Sequence, residues 1–365
     1  MYFCAMYSME IDPSLMLDDQ AVKMIRDEAV RAEHSGHLTP SQLKLIYARK
    51  WFHLLVPEVY GGKEVDLPTF VRFMEYLAGI NGSLAWCVNL GAGANMFSGY
   101  MEPKVADALF RNPQTCIAGS GAQSGIARSE GEHYIINGSW KYASGAHHAT
   151  HFSFNAKVDD KQSPAFLSFI IPREQVHVLN TWHTTGLMAT SSHDFFINKG
   201  IIPIDYAFDL TKETQHNHGS LYRFPFQMLA EINILAVSVG LARRFTELAK
   251  EVRAAKVSEH TSYEKFNSVS NQLEEQFIVV NTNMHRYLHR LWDENKQGIL
   301  DEKKDGALFT DHIIQSADAA RALVDGLYPY LGMQSIVSDH EINRVWRDFK
   351  TASQHALLSP DRISV

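Results

Sequence analysis

The sequence predicts an α+β protein in which a strand-rich segment lies between two helical ones. Three observations carry that prediction. From the start to about Arg111, apolar residues recur at helical spacing. From about Asn112 to Tyr222 the chain breaks into short β-rich runs punctuated by Gly, Pro, Asn and Asp. Beyond that the periodicity is helical again, in long stretches. Helices, then strands, then helices imply a β-module between two helical ones. The divisions fall at residues 1–112, 113–222 and 223–365.

The elements follow in order. "PEVYGG" is a turn between helices, and "DLPTFVRFMEYLAGI" then sets Phe70, Phe73, Met74 and Leu77 on one helical face. "SLAWCVNLGAGANMFSGYM" is apolar nearly all round, which predicts a helix buried on several sides. "EPKVADALFR" opens a helix with Pro103 in its first turn. In the middle segment, "HYIINGSWKYASG" places two β-rich runs around Asn137-Gly138, which predicts a hairpin. Further strand-like runs are "HFSFNAKV", "AFLSFIIP", "VHVLN" and "DFFINKGIIP", so a small barrel or sandwich is expected. "FQMLAEINILAVSVGLARRFTELAKEVRAAKV" is a long helix, and "NQLEEQFIVVNTNMHRYLHRLWDENKQG" is a second one ending near Gly298. "TDHIIQSADAARALVDGLYPYLG" starts on a Thr310-Asp311 cap, and "DHEINRVWRDFKTASQHALL" forms the last helix.

Composition narrows the function. The 365 residues are 45% hydrophobic and 21% charged, with a net charge of -7, so there is no basic footprint for nucleic acid. Three cysteines, Cys4, Cys87 and Cys116, suggest neither a disulfide framework nor a zinc motif; a reducing cytoplasm fits. The N-terminus lacks the basic and apolar regions of a signal peptide. No uninterrupted apolar run of about 18 residues predicts a membrane span.

Few motifs carry chemistry alone. "GSGAQSG", Gly119 to Gly125, lacks the following helix of a dinucleotide loop. It reads as a small-residue loop that lets backbone approach a flat ligand. His147, His148 and His151 lack a metalloprotease glutamate and read as a loop entering a strand, so no metal is expected. The nucleophile elbow G-x-S-x-G is absent. On a helical wheel of the last helix, Ile342, Val345, Trp346, Phe349, Ser353 and Ala356 form the buried stripe. His355 falls on the flank with Asp348 and Ala352.

Several segments together resemble the acyl-CoA dehydrogenase superfamily. They are "LLVPEVYGGKEVDL", "GSLAWCVNLG", "IAGSGAQSGIARSEGEHYIINGSWKYASGA", "TGLMATSSHDFFINKGIIP" and "INRVWRDFKTASQH", in that family's order and spacing. The resemblance implies an N-terminal helical domain, a central small β-barrel and a C-terminal four-helix bundle, as a homotetramer or homodimer. The pattern is closest to the family's flavin-dependent monooxygenase branch, that of p-hydroxyphenylacetate hydroxylase oxygenase components and dibenzothiophene monooxygenases. That branch implies FAD or FMN, supplied reduced by a partner reductase, and a C4a-hydroperoxide that oxygenates an aromatic or related small substrate.

By the same match, Ser144 would hydrogen-bond near flavin N5 and C4a, and His355 would be the acid/base. Histidine suits either role near neutral pH. Ala118, Gly119 and Ser120 stand where dehydrogenases carry a Thr-Glu-Pro flavin loop. Tyr142 and Ala143 would touch the isoalloxazine. Trp86 either lines the flavin or substrate pocket or simply packs in the core. Asn95 is a candidate polar group for the substrate side. Two alternatives stand beside this reading. One is an FAD-dependent acyl-CoA dehydrogenase with Glu231 as base. The other is a non-catalytic binding protein that kept the fold.

Overall fold

Side-chain caps set most helix starts. The computed structural model describes residues 11–159, 166–210, 216–217, 219–255 and 260–361, excluding the side chains of 260–263. Asp18 accepts the Ala21 amide to start α1 (Asp19–Asp27), and α2 (Ala29–Ser35) follows. Thr39 and Gln42 form a reciprocal capping box on α3 (Pro40–Ala48). Asp66 caps α4 (Leu67–Ile80), and Asn81 caps α5 (Gly82–Asn95). The predicted stripe Phe70, Phe73, Met74 and Leu77 is fully buried on α4. α5 is buried on several sides, as its apolar composition requires. Pro103 begins α6 (Pro103–Phe110).

The middle of the chain forms β1 (Ile117–Glu130), β2 (His133–Ala143), β3 (His151–Val158), β4 (Phe166–Pro172), β5 (His177–Val178), β6 (His193–Pro203) and β7 (Ala207–Phe208). They make one mixed sheet in the order β5-β6-β2-β1-β3-β4-β7, with β1 and β3 parallel and the other pairs antiparallel. Among the described residues no pairing joins the end strands, so the expected barrel or sandwich is an open sheet curled on one core. Trp140 fills that core, with its ring 4.5 Å from Phe154 and 5.3 Å from Phe195.

Two sequence expectations change here. The hairpin turn is not at Asn137-Gly138 but at Gly131, where φ is +63°. Asn137 lies inside β2 at a register shift against β6, and its Oδ1 accepts the Lys199 amide at 2.9 Å. The pair that usually turns a chain marks a bulge here, because β1 and β6 pair with β2 along its two edges and hold it extended. "GSGAQSG" is likewise part of strand β1, with register shifts after Ser120 and Gln123.

The C-terminal region comprises α7 (Ser220–Arg223), α8 (Phe226–Ala254), α9 (His260–Lys296), α10 (Glu302–Leu327) and α11 (Glu341–Ala352). α8 packs against α4, α5, α10 and α11 at once, which explains its all-round apolar character. It is long and apolar enough to cross a membrane, yet most of it is buried against these neighbours. α10 begins earlier than expected. Asp301 accepts the Lys303 and Lys304 amides, and Thr310 sits inside the helix facing Glu231.

α11 is bound to the segment preceding β6. Leu187 donates its amide to Asp348 Oδ1 at 2.5 Å. Arg347 donates to the Thr185 carbonyl and pairs with Glu33 on α2. Burial pushes the Asp348 carboxyl up to about 7, against the Leu187 hydrogen bond that pulls it down. The folded chain therefore holds this proton more tightly than the unfolded chain, whose value is near 3.8. The resulting stability is complete below about pH 4 and is lost as pH rises through about 7. Asp348→Asn keeps an oxygen for Leu187 and removes the titration. It is expected to flatten the decline of Tm between pH 4 and pH 8, and an unchanged slope would exclude Asp348 as its source.

Candidate functional site

Two neighbouring cavities share Asn155, Ser168, Leu210 and Phe226 in their walls. The larger, about 680 Å³, is bordered by Tyr222, Arg223, Asp209 and Glu302. The smaller, about 200 Å³, holds Ala118, Gly119, Ser120, Ser144 and His355. The smaller one is the candidate functional site, because five sequence-predicted residues from three distant segments line it.

Helical and strand periodicity build its walls. On α5, Asn89, Leu90, Gly93 and Ala94 face the cavity at three- and four-residue spacing; on α8, Phe226, Leu229, Ala230, Asn233 and Ile234 do the same. β1 contributes Ala118 to Gly121. Gly93 and Gly121 enter from the helical and strand sides, and a Cβ at either would meet no atom within 4 Å. The two glycines therefore leave volume that side chains would fill, as a flat ligand between strand and helix requires.

A chain of hydroxyls runs behind the cavity. Trp86 Nε1 donates to Ser144 Oγ at 3.0 Å, Ser144 and Ser192 are 2.8 Å apart, and Ser192 and Thr190 are 2.7 Å apart. Thr190 donates to the Leu187 carbonyl at 2.8 Å. A carbonyl only accepts, so this end fixes the direction of every link. Thr190 must accept from Ser192, and Ser192 from Ser144. Ser144 has thus given away its proton, and it offers the cavity only a lone pair.

His355 lies beyond α11, not on its flank. It caps the terminal turn at Ala356–Leu358, with Nδ1 accepting the Leu357 amide at 3.2 Å. The neutral ring consequently carries its proton on Nε2. Its centroid is 5.9 Å from that of Trp86, so Trp86 touches both Ser144 and His355 from behind the wall.

Four other expected residues take different places. Glu231 is fully buried and lies outside the cavity wall, accepting from Gln227 at 2.9 Å and Thr310 at 3.0 Å. It sits one residue past Ala230, which turns it about 100° from the cavity face. Asn95 spends its whole amide on backbone, with Nδ2 on the Phe52 and Thr115 carbonyls and Oδ1 on the Ile117 amide. It ties α5 to β1 and presents nothing to a substrate. Tyr142 is 65% exposed, with φ +64°, and its ring packs edge-on against Trp182. Ala143 is buried in the sheet opposite His193. Neither Tyr142 nor Ala143 lines the cavity.

Sequence reading missed two residues. Asn89 and Asn233 face the cavity from α5 and α8, 2% and 6% exposed. Asn89 Nδ2 donates to the Asn233 carbonyl at 3.0 Å, and the Oδ1 atoms of both have no partner. An unpaired buried acceptor costs about 1–3 kcal/mol. The available signal was a polar residue inside an apolar helical run, Asn89 by itself and Asn233 two positions after Glu231.

The strand, helix and C-terminal helical arrangement is the acyl-CoA dehydrogenase-like fold. Residues 232–360 match the family described as acyl-CoA dehydrogenase, C-terminal domain. The chain is 24% identical to the flavin-dependent monooxygenase oxygenase subunit HsaA of Mycobacterium tuberculosis, covering 95% of this chain and 92% of that protein. It is 22% identical to the p-hydroxyphenylacetate 3-hydroxylase oxygenase component of Acinetobacter baumannii, covering 94% and 85%. Among solved structures, XiaF from a Streptomyces species, in complex with FADH2 and glycerol, superposes with a TM-score of 0.85 at 21% identity, covering 93% and 90%.

Removing the gap at Gly93 separates packing from binding. Gly93→Ala in the interior of α5 is expected to raise stability by about 0.5–1 kcal/mol, because alanine loses less backbone entropy. The added methyl also narrows the cavity, so flavin affinity is expected to fall. Thermal melts alongside flavin titration check both signs; a variant that is less stable would show that Gly93 is needed for packing instead.

Proposed function

We propose that this protein is the oxygenase component of a two-component flavin-dependent monooxygenase acting on a small aromatic substrate. The observation that carries this reading is the convergence of Ser144, His355 and the Gly93–Gly121 gap on one cavity. The relatives' names, which specify flavin dependence and oxygenase components, support it. The cofactor is FAD or FMN, delivered reduced by a partner reductase. When bound, reduced flavin supplies the two electrons that let one oxygen atom of O2 enter the substrate and the other leave as water.

The residues fit such a group. Gly121 keeps a side chain off the strand wall, and Ser144 provides a lone pair at the edge of the cavity. A reduced flavin carries N–H at N5, whereas the oxidised ring has only an acceptor there. An acceptor-only Ser144 favours the reduced form, which suits a protein that receives flavin already reduced. His355 lines the cavity with its proton on Nε2 and is the acid/base side chain of the wall. The apolar side chains Leu90, Phe97, Leu229 and Ile234 exclude water from the same space.

Glu231 faces away from the cavity, and this disfavours the dehydrogenase reading, which needs a carboxylate base beside the substrate. The test mixes the protein with reduced flavin, O2 and a set of aromatic compounds. Hydroxylated product formed in proportion to flavin oxidised is the expected result. Hydrogen peroxide as the sole product across the set, or bleaching of bound flavin by an acyl-CoA, would overturn it.

The direction of the hydroxyl chain gives a separate prediction. Thr190→Val removes the link that commits the Ser192 proton, so Ser144 becomes able to donate. Oxidised flavin is then expected to bind several-fold tighter, while reduced flavin changes little. Fluorescence titration of oxidised flavin reads the change; unaltered affinity would mean that the chain's polarity does not reach the ligand.

A further inference from the structure

The cavity wall contains no lysine, arginine, aspartate or glutamate among the described residues. Its polarity comes from hydroxyls, the His355 ring and three carboxamides. One of these is spent: Asn155 donates to the Gly121 carbonyl at 2.9 Å and accepts from Ser168 at 2.7 Å. The other two, Asn89 and Asn233, retain unpaired oxygens on adjacent helices, more than nine-tenths buried. Asn89 has its orientation fixed, because its N–H is committed to the Asn233 carbonyl. It can only accept.

We propose that Asn89 and Asn233 are the specificity-determining pair of this site. They select an uncharged aromatic that presents a hydrogen-bond donor, a phenolic hydroxyl or an aryl N–H, and they reject aryl carboxylates. The inference rests on the function proposed above and names its substrate class. A hydroxyl facing Asn89 satisfies the buried carbonyl, and Asn233 can receive or donate the second bond. A carboxylate has no proton for Asn89 and meets no cation in the wall to replace its lost hydration. A site built to bond a hydroxyl also discriminates strongly against analogues that lack it, since its own polar atoms are then left unpaired. p-Hydroxyphenylacetate, which one relative's name carries, would therefore be a poor ligand through its acid end.

The test measures binding without turnover, by calorimetry on the flavin-loaded protein held without oxygen. The probes are an alkylphenol, its methyl ether, and the hydroxyarylacetate of similar size. The phenol is expected to bind at least ten-fold tighter than either of the others. In Asn233→Leu and in Asn89→Leu, phenol and ether are expected to bind within about two-fold of each other. Equal binding of phenol and ether by the unaltered protein would overturn the proposal without recourse to any variant. Tighter binding of the arylacetate, or variants that keep the full preference, would do so as well. Product analysis with reduced flavin and O2 is run in parallel. Phenol selectivity that depends on both asparagines supports the proposal even if no product forms, and that outcome would count against the monooxygenase reading alone. Hydroxylation of the carboxylate in preference to the phenol would overturn the proposal and leave the monooxygenase reading standing.

Discussion

His355→Asn is expected to lower the rate of substrate hydroxylation by about 10²- to 10⁴-fold, the usual worth of a positioned acid/base. The choice of asparagine is deliberate. His355 has two jobs in the structure: it caps the terminal turn through Nδ1, and it presents its ring to the cavity. Alanine would lose both, and the lost cap alone costs about 1 kcal/mol. Asparagine can still accept the Leu357 amide, so the turn and Trp86 should stay in place. What it cannot do is exchange a proton near neutral pH. The expected signature is a folded protein that binds flavin and oxidises it with O2 but releases hydrogen peroxide in place of product. The pH–rate profile should also lose one limb. If His355→Asn hydroxylates at an undiminished rate while His355→Ala does not, the histidine is only a cap and the proton comes from elsewhere.

That residue also shows what was readable in the sequence. The resemblance of the last segment to a known family made it a candidate, and it lines the same cavity as Ser144. Its local geometry was not readable. Wheel periodicity carried the helix through to His355, whereas α11 stops at Ala352 and the chain turns. The error is physical: side-chain spacing says nothing about where backbone amides find other partners, and here His355 itself supplies one.

Long elements with strong patterns were legible, such as the α4 stripe and the buried α5 and α8, because burial dictates every residue along them. The Asn137-Gly138 turn was not, since a partner strand can recruit the same two residues into a bulge. Glu231 and Asn95 were misplaced for a related reason. Each lies on a helix that borders the cavity, but the face it occupies depends on a rotation of one residue, which sequence cannot give. Asn89 and Asn233 illustrate the converse. No sequence motif singles them out, and their Oδ1 atoms are buried without partners in the wall.

Gly186→Ala is expected to destabilise the protein by about 3 kcal/mol, at the upper end for forced overpacking, and to impair hydroxylation through His355. A Cβ at Gly186 would lie 2.0 Å from the Arg347 carbonyl oxygen and 2.6 Å from the Asp348 amide nitrogen. Both are backbone atoms inside α11, so no rotamer change relieves the clash. Either the 185–187 segment or the helix must move. Moving the segment breaks the bond from the Leu187 amide to Asp348 and the one from Arg347 to the Thr185 carbonyl. It also disturbs the Leu187 carbonyl, which terminates the hydroxyl chain and fixes the polarity of Ser144. Moving the helix shifts His355, three residues beyond its end. Both routes reach the cavity, although neither Gly186 nor α11 lines it. The measurement pairs a thermal melt with a coupling ratio, product formed per flavin oxidised. A lowered Tm with an unchanged ratio would show that the α11 contact stabilises the fold without positioning the site. A lowered ratio at a temperature where the variant is fully folded would show that the glycine's absent side chain is what lets a sheet-side segment set the place of a C-terminal histidine.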